Sequence, residues 1–381
     1  MKQIKLLFLI ESLSGGGAEK VLSTLLQHLD YSKFEVTLCC ITDIGKYVEE
    51  VKPYVHYTYI LPNPSNLKGW KKFIYKLRYK LIYNWLPLKW VYQWFVPHHA
   101  DVEIAFVEGF ATKLLSHSTN HKTKKIAWVH TDLIKNHWIS IVYKNHQEEL
   151  ASYQSFYQII GVSQTACDSI NQLYNLSSKV TLLYNPIDSE YIKEQANKNI
   201  TPKFPLKEQT RIVSIGRLVP VKAYSRLLRI ITKLKEENYP IELWLLGDGE
   251  ERGSLEQYIT EHQLESIVTL WGFQDNPYAY LKQCDLFVCS SISEGYSTAV
   301  TEALILGLPV ITTNCSGMHE LLKNGECGII TENSEEALYK GLKQLLDNPT
   351  QLQYYKEKAI ERGKDFSLEK LMEPIEKLFS E

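Results

Sequence analysis

Apolar runs of strand length alternate with helical patterns along most of the chain. In the first half, five such runs predict buried parallel strands, at residues 6–10, 34–41, 102–106, 125–129 and 157–161. Between them, stretches such as 18–29 and 165–173 repeat apolar residues at helical spacing. This alternation predicts a doubly wound α/β sheet.

The pattern breaks after residues 185–188. A polar segment rich in Lys, Glu and Asn follows at 190–209, and we expect the linker between two domains there. A second alternating series predicts five more strands, at residues 211–216, 241–247, 268–271, 286–289 and 310–313. The tail at 367–379 is helical, with no strand after it. The prediction is two Rossmann-like α/β domains, residues 1–190 and 191–365, and a C-terminal helix in 366–381.

Composition narrows the class of protein. A length of 381 residues suits two or three domains, and 44% hydrophobic residues suffice for packed cores. The net charge of -2 argues against a protein built to bind nucleic acid. The seven cysteines lack metal-ligand spacing, which is typical of a reducing cytosol. The apolar N-terminal run is as short as a strand and lacks a cleavage site, so we interpret it as a strand.

Two glutamates frame the most informative segment of the chain. Glu294 lies in a glycine-containing loop, and Glu302 follows on the next predicted helix, with seven residues between them. The first N–H groups of a helix have no partner within it, so a helix start can bind an anion. Two carboxylates around an anion site suit a ligand with a central diphosphate and hydroxyl groups at both ends. A nucleotide-sugar has this chemistry.

Two other segments follow predicted strands. Arg217 and Lys222 come after a strand that ends in Gly216, where two cations suit a diphosphate; the alternative is a pair of solvated surface cations. The glycine run 15–17 follows the first strand and opens a helix. It lacks the G-x-G-x-x-G spacing of an NAD site, and the alternative is a plain strand–helix turn.

These segments, together with Leu246–Gly249, resemble the signature of retaining glycosyltransferases of family 4 in the family's order. The resemblance implies the GT-B fold, with two Rossmann-like domains facing a central cleft. The first domain would bind the acceptor and the second the nucleotide-sugar, and the last helix would cross back to the first domain. The chain departs at Ala223, where the family often has glycine.

The resemblance also implies a role for each residue. Glu294 would contact hydroxyls of the transferred sugar, and Glu302 would hold the ribose. Phosphate contacts would come from the cations, the glycine loop and the helix start: Gly16, Gly17, Arg217, Lys222, Gly295, Tyr296, Ser297 and Thr298. The base would lie at Gly272 and Phe273. His130 resembles the family's cleft histidine, with a purely structural histidine as the alternative. The expected catalytic set is His130, Glu294, Arg217 and Lys222.

The expected chemistry needs no cofactor. The chain has no D-x-D sequence, so we expect no metal requirement. The resemblance implies transfer with retention, and the sequence shows no obvious nucleophile, which favours front-face transfer of a hexose or N-acetylhexosamine. UDP is the expected nucleotide through the family's bias alone. The expected acceptor is a saccharide, free or linked to a polyprenyl lipid, in the synthesis of a cell-surface polysaccharide or glycolipid.

A basic and aromatic segment spans residues 68–95. Between positions 68 and 89 it has seven Lys or Arg and no acidic residue, interleaved with Trp, Tyr and Phe. This mixture is typical of an interfacial helix on anionic lipid, so we expect a cytoplasmic protein held on the inner face of the cell membrane. The alternative is a solvated helix face whose aromatic residues belong to the core.

Two other functions remain open. A non-hydrolysing sugar-nucleotide epimerase shares the fold, but it needs titratable groups for elimination chemistry that the sequence does not reveal. A non-catalytic sugar-nucleotide-binding subunit is the other alternative, and the full set of charged site residues argues against it.

Overall fold

The computed structural model describes residues 2–199 and 209–381. The chain divides into two compact units. The first comprises Met1–Ile187 with Glu369–Glu381, and the second comprises Asp188–Leu368. The sequence had placed these boundaries at residues 190 and 365, within three residues of each division.

A seven-stranded parallel sheet forms the centre of the first unit. Its strands are β1 (Ile4–Ile10), β2 (Phe34–Thr42), β3 (His56–Leu61), β4 (Val102–Ala105), β5 (Lys124–Val129), β6 (Gln158–Gly161) and β7 (Val180–Leu182). They lie in the order β3-β2-β1-β4-β5-β6-β7. Leu6, Leu7, Phe8 and Leu9 of β1 are all buried, because helices cover both faces of a central parallel strand.

Among the described residues 2–187, seven α-helices accompany this sheet. They are α1 (Gly17–His28), α2 (Val48–Val51), α3 (Trp70–Lys80), α4 (Leu88–Phe95), α5 (Phe110–Ser116), α6 (His146–Gln154) and α7 (Gln164–Tyr174). A π-helical turn, Leu81–Trp85, separates α3 from α4. The basic and aromatic segment is therefore two helices rather than one. The Tyr92 hydroxyl of α4 donates to buried Glu103 at 2.6 Å, which ties this helix to β4.

The second unit has a six-stranded parallel sheet. Its strands are β8 (Thr210–Ile215), β9 (Ile241–Leu246), β10 (Val268–Gly272), β11 (Leu286–Cys289), β12 (Val310–Thr313) and β13 (Ile329–Thr331). They lie in the order β10-β9-β8-β11-β12-β13. Its helices are α8 (Ser189–Ala196), α9 (Tyr224–Glu236), α10 (Arg252–Glu261), α11 (Tyr278–Leu281), α12 (Thr298–Ile305), α13 (Met318–Leu321), α14 (Glu335–Asp347) and α15 (Pro349–Gly363).

The last helix, α16 (Leu368–Ser380), packs on the first unit. The Phe379 ring lies edge-on to Phe8, with ring centroids 5.8 Å apart, and also contacts Phe34. One turn earlier, Glu376 accepts the backbone N–H of Asp30 at 3.0 Å. An apolar anchor and a polar contact thus fix the C-terminal helix to the N-terminal sheet.

Two sequence predictions need correction. Five strands were expected in each domain, but the structure has seven and six. The missed strands β3, β7 and β13 are all edge strands, and their half-exposed residues do not make the continuous apolar run of a central strand. The expected linker at 190–209 also begins inside α8, which belongs to the second unit. Its residues 200–208 lie outside the described residues.

Each sheet has one point where the strand order reverses. In the first unit this is between β1 and β4, and in the second between β8 and β11. In open parallel sheets, ligands bind beyond the carboxyl ends of the strands at such switch points. The residues that follow these four strands are therefore the first candidates for a site. Within the described part of the chain, none of the helices has both the length and the apolar character needed to cross a bilayer.

Candidate functional site

The switch point of the second unit gathers the predicted donor-site charges. β8 and β11 are neighbours, with Val213 beside Phe287 in the parallel register. Arg217 and Lys222 follow β8, and Glu294 follows β11. The fold therefore brings together residues that are more than 70 positions apart in sequence.

Lys222 and Glu294 form a short ion pair. Lys222 Nζ lies 2.6 Å from Glu294 Oε1, and the Ser291 hydroxyl donates to the same oxygen at 2.5 Å. Burial opposes the charge on Lys222, but the attraction and hydrogen bond of Glu294, together with Cys289, act against it, so the net pKa of Lys222 is raised. Lys222 is therefore a fixed cation. Arg217, in contrast, is exposed.

Backbone contacts join the two loops that carry this pair. The Ser290 hydroxyl donates to the Lys222 carbonyl at 2.8 Å, and the Ile292 N–H donates to the Val221 carbonyl at 2.7 Å. Buried Arg226 of α9 donates from its guanidinium to the Ser290 carbonyl and to Asn333 Oδ1, the latter at 2.9 Å. These contacts fix the position of Glu294 relative to Lys222.

The helix start predicted near Glu294 is α12. Ser297 is its N-cap, and its hydroxyl accepts the N–H of Val300 at 3.4 Å. The capped N–H therefore belongs to Val300, which lies outside the phosphate-binding residues predicted at 295–298. Gly317 packs closely against the backbone next to Glu294. A Cβ at this position would lie 2.4 Å from the Gly295 carbonyl oxygen, and its φ of 76° favours glycine.

The remaining predicted donor-site residues lie on other parts of this unit. Glu302 is in the second turn of α12 and is only 3% exposed. Gly272 ends β10, and Phe273 follows it as an exposed side chain. β10 is an edge strand separated from β8 by β9, so the proposed base position is two strands from the ion pair.

In the first unit, three predicted residues follow strands that lie near its switch point. Gly16 and Gly17 follow β1, and Gly16 is the N-cap of α1. His130 directly follows β5, and its Nε2 lies 2.8 Å from the Phe106 carbonyl oxygen. The neighbouring Asp132 accepts the N–H groups of the turn after it.

Sequence reasoning missed two polar residues beside these groups. Glu108 follows β4 and contacts His130, and Arg226 supports the loop of Glu294. A signal for Glu108 existed, since an acidic residue just after an apolar strand marks the functional edge of a parallel sheet. Arg226 gave no signal, because it occupies an ordinary helical position. Across residues 2–199 and 209–381, no group of three or more His, Cys, Asp or Glu side chains is placed to hold a metal ion.

Comparison with known proteins identifies the family. The profile described as Glycosyltransferase Family 4 matches residues 15–191, and that described as Glycosyl transferases group 1 matches residues 196–362. A relative from Campylobacter jejuni is 31% identical over 377 residues, covering 96% of this chain and 97% of its own. The chain belongs to glycosyltransferase family 4. The relative is named N-acetylgalactosamine-N,N'-diacetylbacillosaminyl-diphospho-undecaprenol 4-alpha-N-acetylgalactosaminyltransferase.

Solved structures of other glycosyltransferases share the fold of this family 4 member. HepE from Anabaena, in complex with UDP-glucose, has a TM-score of 0.76 at 19% identity, over 99% of this chain and 100% of its own. Sucrose-phosphate synthase from Thermosynechococcus elongatus also has a TM-score of 0.76, at 15% identity, over 100% of this chain and 98% of its own. The predicted GT-B fold is confirmed, and so is the family 4 membership that the sequence motifs indicated.

Proposed function

We propose that this glycosyltransferase is a retaining, metal-independent hexosyltransferase. It moves a hexose or N-acetylhexosamine from a UDP-sugar to a saccharide carried on a polyprenyl diphosphate, in the synthesis of a cell-surface polysaccharide or glycolipid. The observation that carries this proposal is the Lys222–Glu294 ion pair beside Arg217 at the switch point of the second unit.

The charges at this switch point suit the departure of a nucleoside diphosphate. Lys222 is a fixed cation, Arg217 offers a bidentate guanidinium, and both can stabilise the charge that develops on the leaving phosphate. Glu294 is already held by Lys222 and Ser291, so we assign it to binding sugar hydroxyls rather than to nucleophilic attack. Without a nucleophile, retention proceeds by front-face transfer, with the leaving phosphate taking the acceptor's proton.

The identity of donor and acceptor rests on the relatives. HepE was solved with UDP-glucose, and the Campylobacter relative is named for a diphospho-undecaprenol-linked substrate and an alpha product. A further relative, 30% identical over 35% of this chain, is named as the lipopolysaccharide core biosynthesis glycosyltransferase LpsE of Rhizobium meliloti. An alpha product formed from an alpha-linked donor would correspond to retention.

A lipid-linked acceptor agrees with the surface of α3 and α4. Trp70 and Phe73 on α3 are 68% and 70% exposed, and Trp90 and Trp94 on α4 are also exposed. The same segment holds the seven basic residues without an acid. Large exposed aromatic side chains among lysines suit the interface of an anionic bilayer. We therefore place the enzyme on the inner face of the cell membrane, held by residues 68–95.

The test is release of UDP from UDP-N-acetylgalactosamine, UDP-N-acetylglucosamine or UDP-glucose, with and without a polyprenyl-diphosphate-linked saccharide. We expect acceptor-dependent release and an alpha-linked product by NMR. Lys222→Ala and Glu294→Ala should each lower the rate at least 100-fold, the size of effect that a lost transition-state contact produces. Glu237→Ala and Lys343→Ala disrupt an exposed ion pair of the same unit and should leave the rate unchanged.

Three outcomes would contradict the proposal. An isomerised UDP-sugar without transfer would indicate an epimerase. Donor binding with neither release nor transfer would indicate a binding subunit. Loss of activity in EDTA, restored by a divalent metal, would refute metal independence, because we expect the same rate with and without the chelator.

A further inference from the structure

Glu108 is a buried carboxylate beside His130, outside the set of site residues predicted from sequence. It lies in the loop between β4 and α5 and is only 1% exposed. Its Oε2 accepts the backbone N–H of His130 at 2.9 Å, and its Oε1 accepts the hydroxyl of Thr131 at 2.6 Å. The indole N–H of Trp138 also donates to Oε1, at 3.4 Å. Burying a carboxylate is costly unless its oxygens are hydrogen-bonded, and three donors serve that purpose here.

These bonds join the carboxyl ends of two neighbouring strands. Glu108 follows β4, whereas His130 and Thr131 follow β5, and the two strands pair in the sheet. The loop also requires Gly109, whose φ is 104° and where a Cβ would lie 2.9 Å from the Trp138 ring. The tight loop therefore lets Trp138 pack closely enough to reach the carboxylate. His130 is fixed at its backbone by this arrangement.

The imidazole of His130 is fixed as well. Its Nε2 lies 2.8 Å from the Phe106 carbonyl oxygen, which can only accept. Nε2 must therefore carry a proton, and in the neutral ring Nδ1 is left with a free lone pair. Burial lowers the pKa of His130, although Glu108 and the Phe106 carbonyl act in the opposite direction. The neutral ring is thus the favoured form near pH 7.

We propose that Glu108 is a positioning residue that holds His130 as a hydrogen-bond acceptor for a hydroxyl group of the sugar substrate. The inference rests on the proposed function. His130 then receives a substrate O–H at Nδ1 and transfers no proton. This separates its role from that of a general acid, which would need the protonated ring.

The charges around His130 can be named for each contacting segment. Glu108 acts on the ring from the loop after β4. On the segment after β5, Asp132 directs its Oδ1 to the N–H groups of Ile134 and Lys135, at 3.0 and 3.2 Å. Directly after β4, the group that contacts the His130 ring is the uncharged carbonyl of Phe106. Glu108 is therefore the charge to change in a test.

The first experiment measures the tautomer directly. Long-range ¹H–¹⁵N spectra of protein labelled at histidine should show the His130 ring protonated at Nε2, with the signal assigned through its loss in His130→Asn. This measurement needs no activity, so it remains informative if no UDP-sugar is turned over. A ring protonated at Nδ1, or at both nitrogens at pH 7, would overturn the inference while leaving the proposed function intact.

The second experiment compares pH profiles of kcat for UDP-N-acetylgalactosamine transfer. Activity that needs neutral His130 falls as pH drops through the pKa of its ring. Glu108→Gln removes the charge that raises that pKa, so the acid limb should move to lower pH. Lost positioning should lower kcat about 10-fold or more. The control is Glu149→Gln, which changes a buried carboxylate bonded to His137 and Tyr174 and should leave the limb in place.

Two substitutions of His130 distinguish the roles of its two ring nitrogens. In His130→Asn, the amide oxygen can take the place of Nδ1 as an acceptor, whereas the longer His130→Gln places its amide near Nε2. We expect His130→Asn to keep at least 10-fold more activity than His130→Gln. Equal loss in both variants, or an acid limb that Glu108→Gln does not move, would overturn the proposed roles.

Discussion

Ala223 adopts a left-handed backbone conformation, with φ 51° and ψ 43°. It is the residue between Lys222 and α9, where related sequences often have glycine. The left-handed region costs a residue with a Cβ about 1–2 kcal/mol. Lys222, which pairs with Glu294, is thus followed by a residue that carries local backbone strain.

This strain predicts an unusual response to glycine. In Ala223→Gly, the relief of about 1–2 kcal/mol offsets lost methyl burial of about 0.8 kcal/mol and added freedom of the unfolded chain of about 0.4–1 kcal/mol. We expect the free energy of unfolding in urea to stay within about 0.5 kcal/mol of the parent. The matched control, Ala337→Gly in α14, should lose about 1 kcal/mol. Equal losses in the two variants would contradict the strain.

Arg226, a buried side chain of α9, supports the loop that follows β11. The guanidinium of Arg226 donates to the Ser290 carbonyl and to Asn333, and Asn333 Nδ2 donates to the Ile292 carbonyl at 2.8 Å. Arg226 thus connects α9, the loop after β11 and the loop after β13. Because Glu294 lies in the second of these segments, its position depends on a side chain of α9.

Removing this connection should weaken donor binding. Arg226→Met keeps much of the side-chain length but leaves the Ser290 carbonyl without its donor, at a cost of about 1–3 kcal/mol in stability. We expect the KM for the UDP-sugar to rise about 10-fold, as 1.4 kcal/mol of lost positioning would produce. Arg229→Met, three residues along the same helix, removes an exposed ion pair with Glu335 and should leave KM unchanged. Equal KM in both variants would contradict the role of Arg226.

The strands and site residues differ in how far the sequence predicts them. Central strands such as β1 and β11 were predicted because buried parallel strands are continuously apolar. β3, β7 and β13 were missed because their half-exposed residues do not make the continuous apolar run of a central strand. Glu294 was predicted from its spacing to Glu302 around a helix start, and Lys222 from its place after a strand that ends in Gly216. The support from Glu108 and Arg226 was not, because it depends on which strands become neighbours.

The charge of the whole molecule is unevenly distributed. The chain carries a net charge of -2, yet residues 68–89 contain seven basic residues and no acid. The aromatic side chains of this region, Trp70, Phe73, Trp90 and Trp94, remain exposed rather than entering the core. Other aromatics of the segment do pack inward: Tyr83 stacks on Phe110 and donates to Glu11 at 3.0 Å. The segment thus has one face packed against the first unit and one exposed face whose aromatic and basic side chains suit anionic lipid.

Reversing this charge should release the protein from anionic vesicles. Each basic residue near such a surface contributes about 1 kcal/mol. Eliminating four of these contributions through Lys71→Glu, Lys72→Glu, Lys76→Glu and Lys80→Glu should therefore weaken binding by about 1,000-fold. Co-sedimentation with phosphatidylglycerol vesicles at 0.15 M salt measures this loss. The parent protein should bind these vesicles, bind neutral phosphatidylcholine vesicles much less, and dissociate as salt screens the attraction.

A control with the same change in charge separates local docking from general attraction. Lys356, Lys364, Lys370 and Lys377 are exposed and lie outside the segment, on α15, α16 and the link between them. Replacing these four by Glu shifts the net charge of the molecule by the same amount. Only the first set should abolish co-sedimentation if α3 and α4 contact the lipid. Equal loss in both variants would mean that net charge governs binding, and retained binding by the first variant would refute the docking surface.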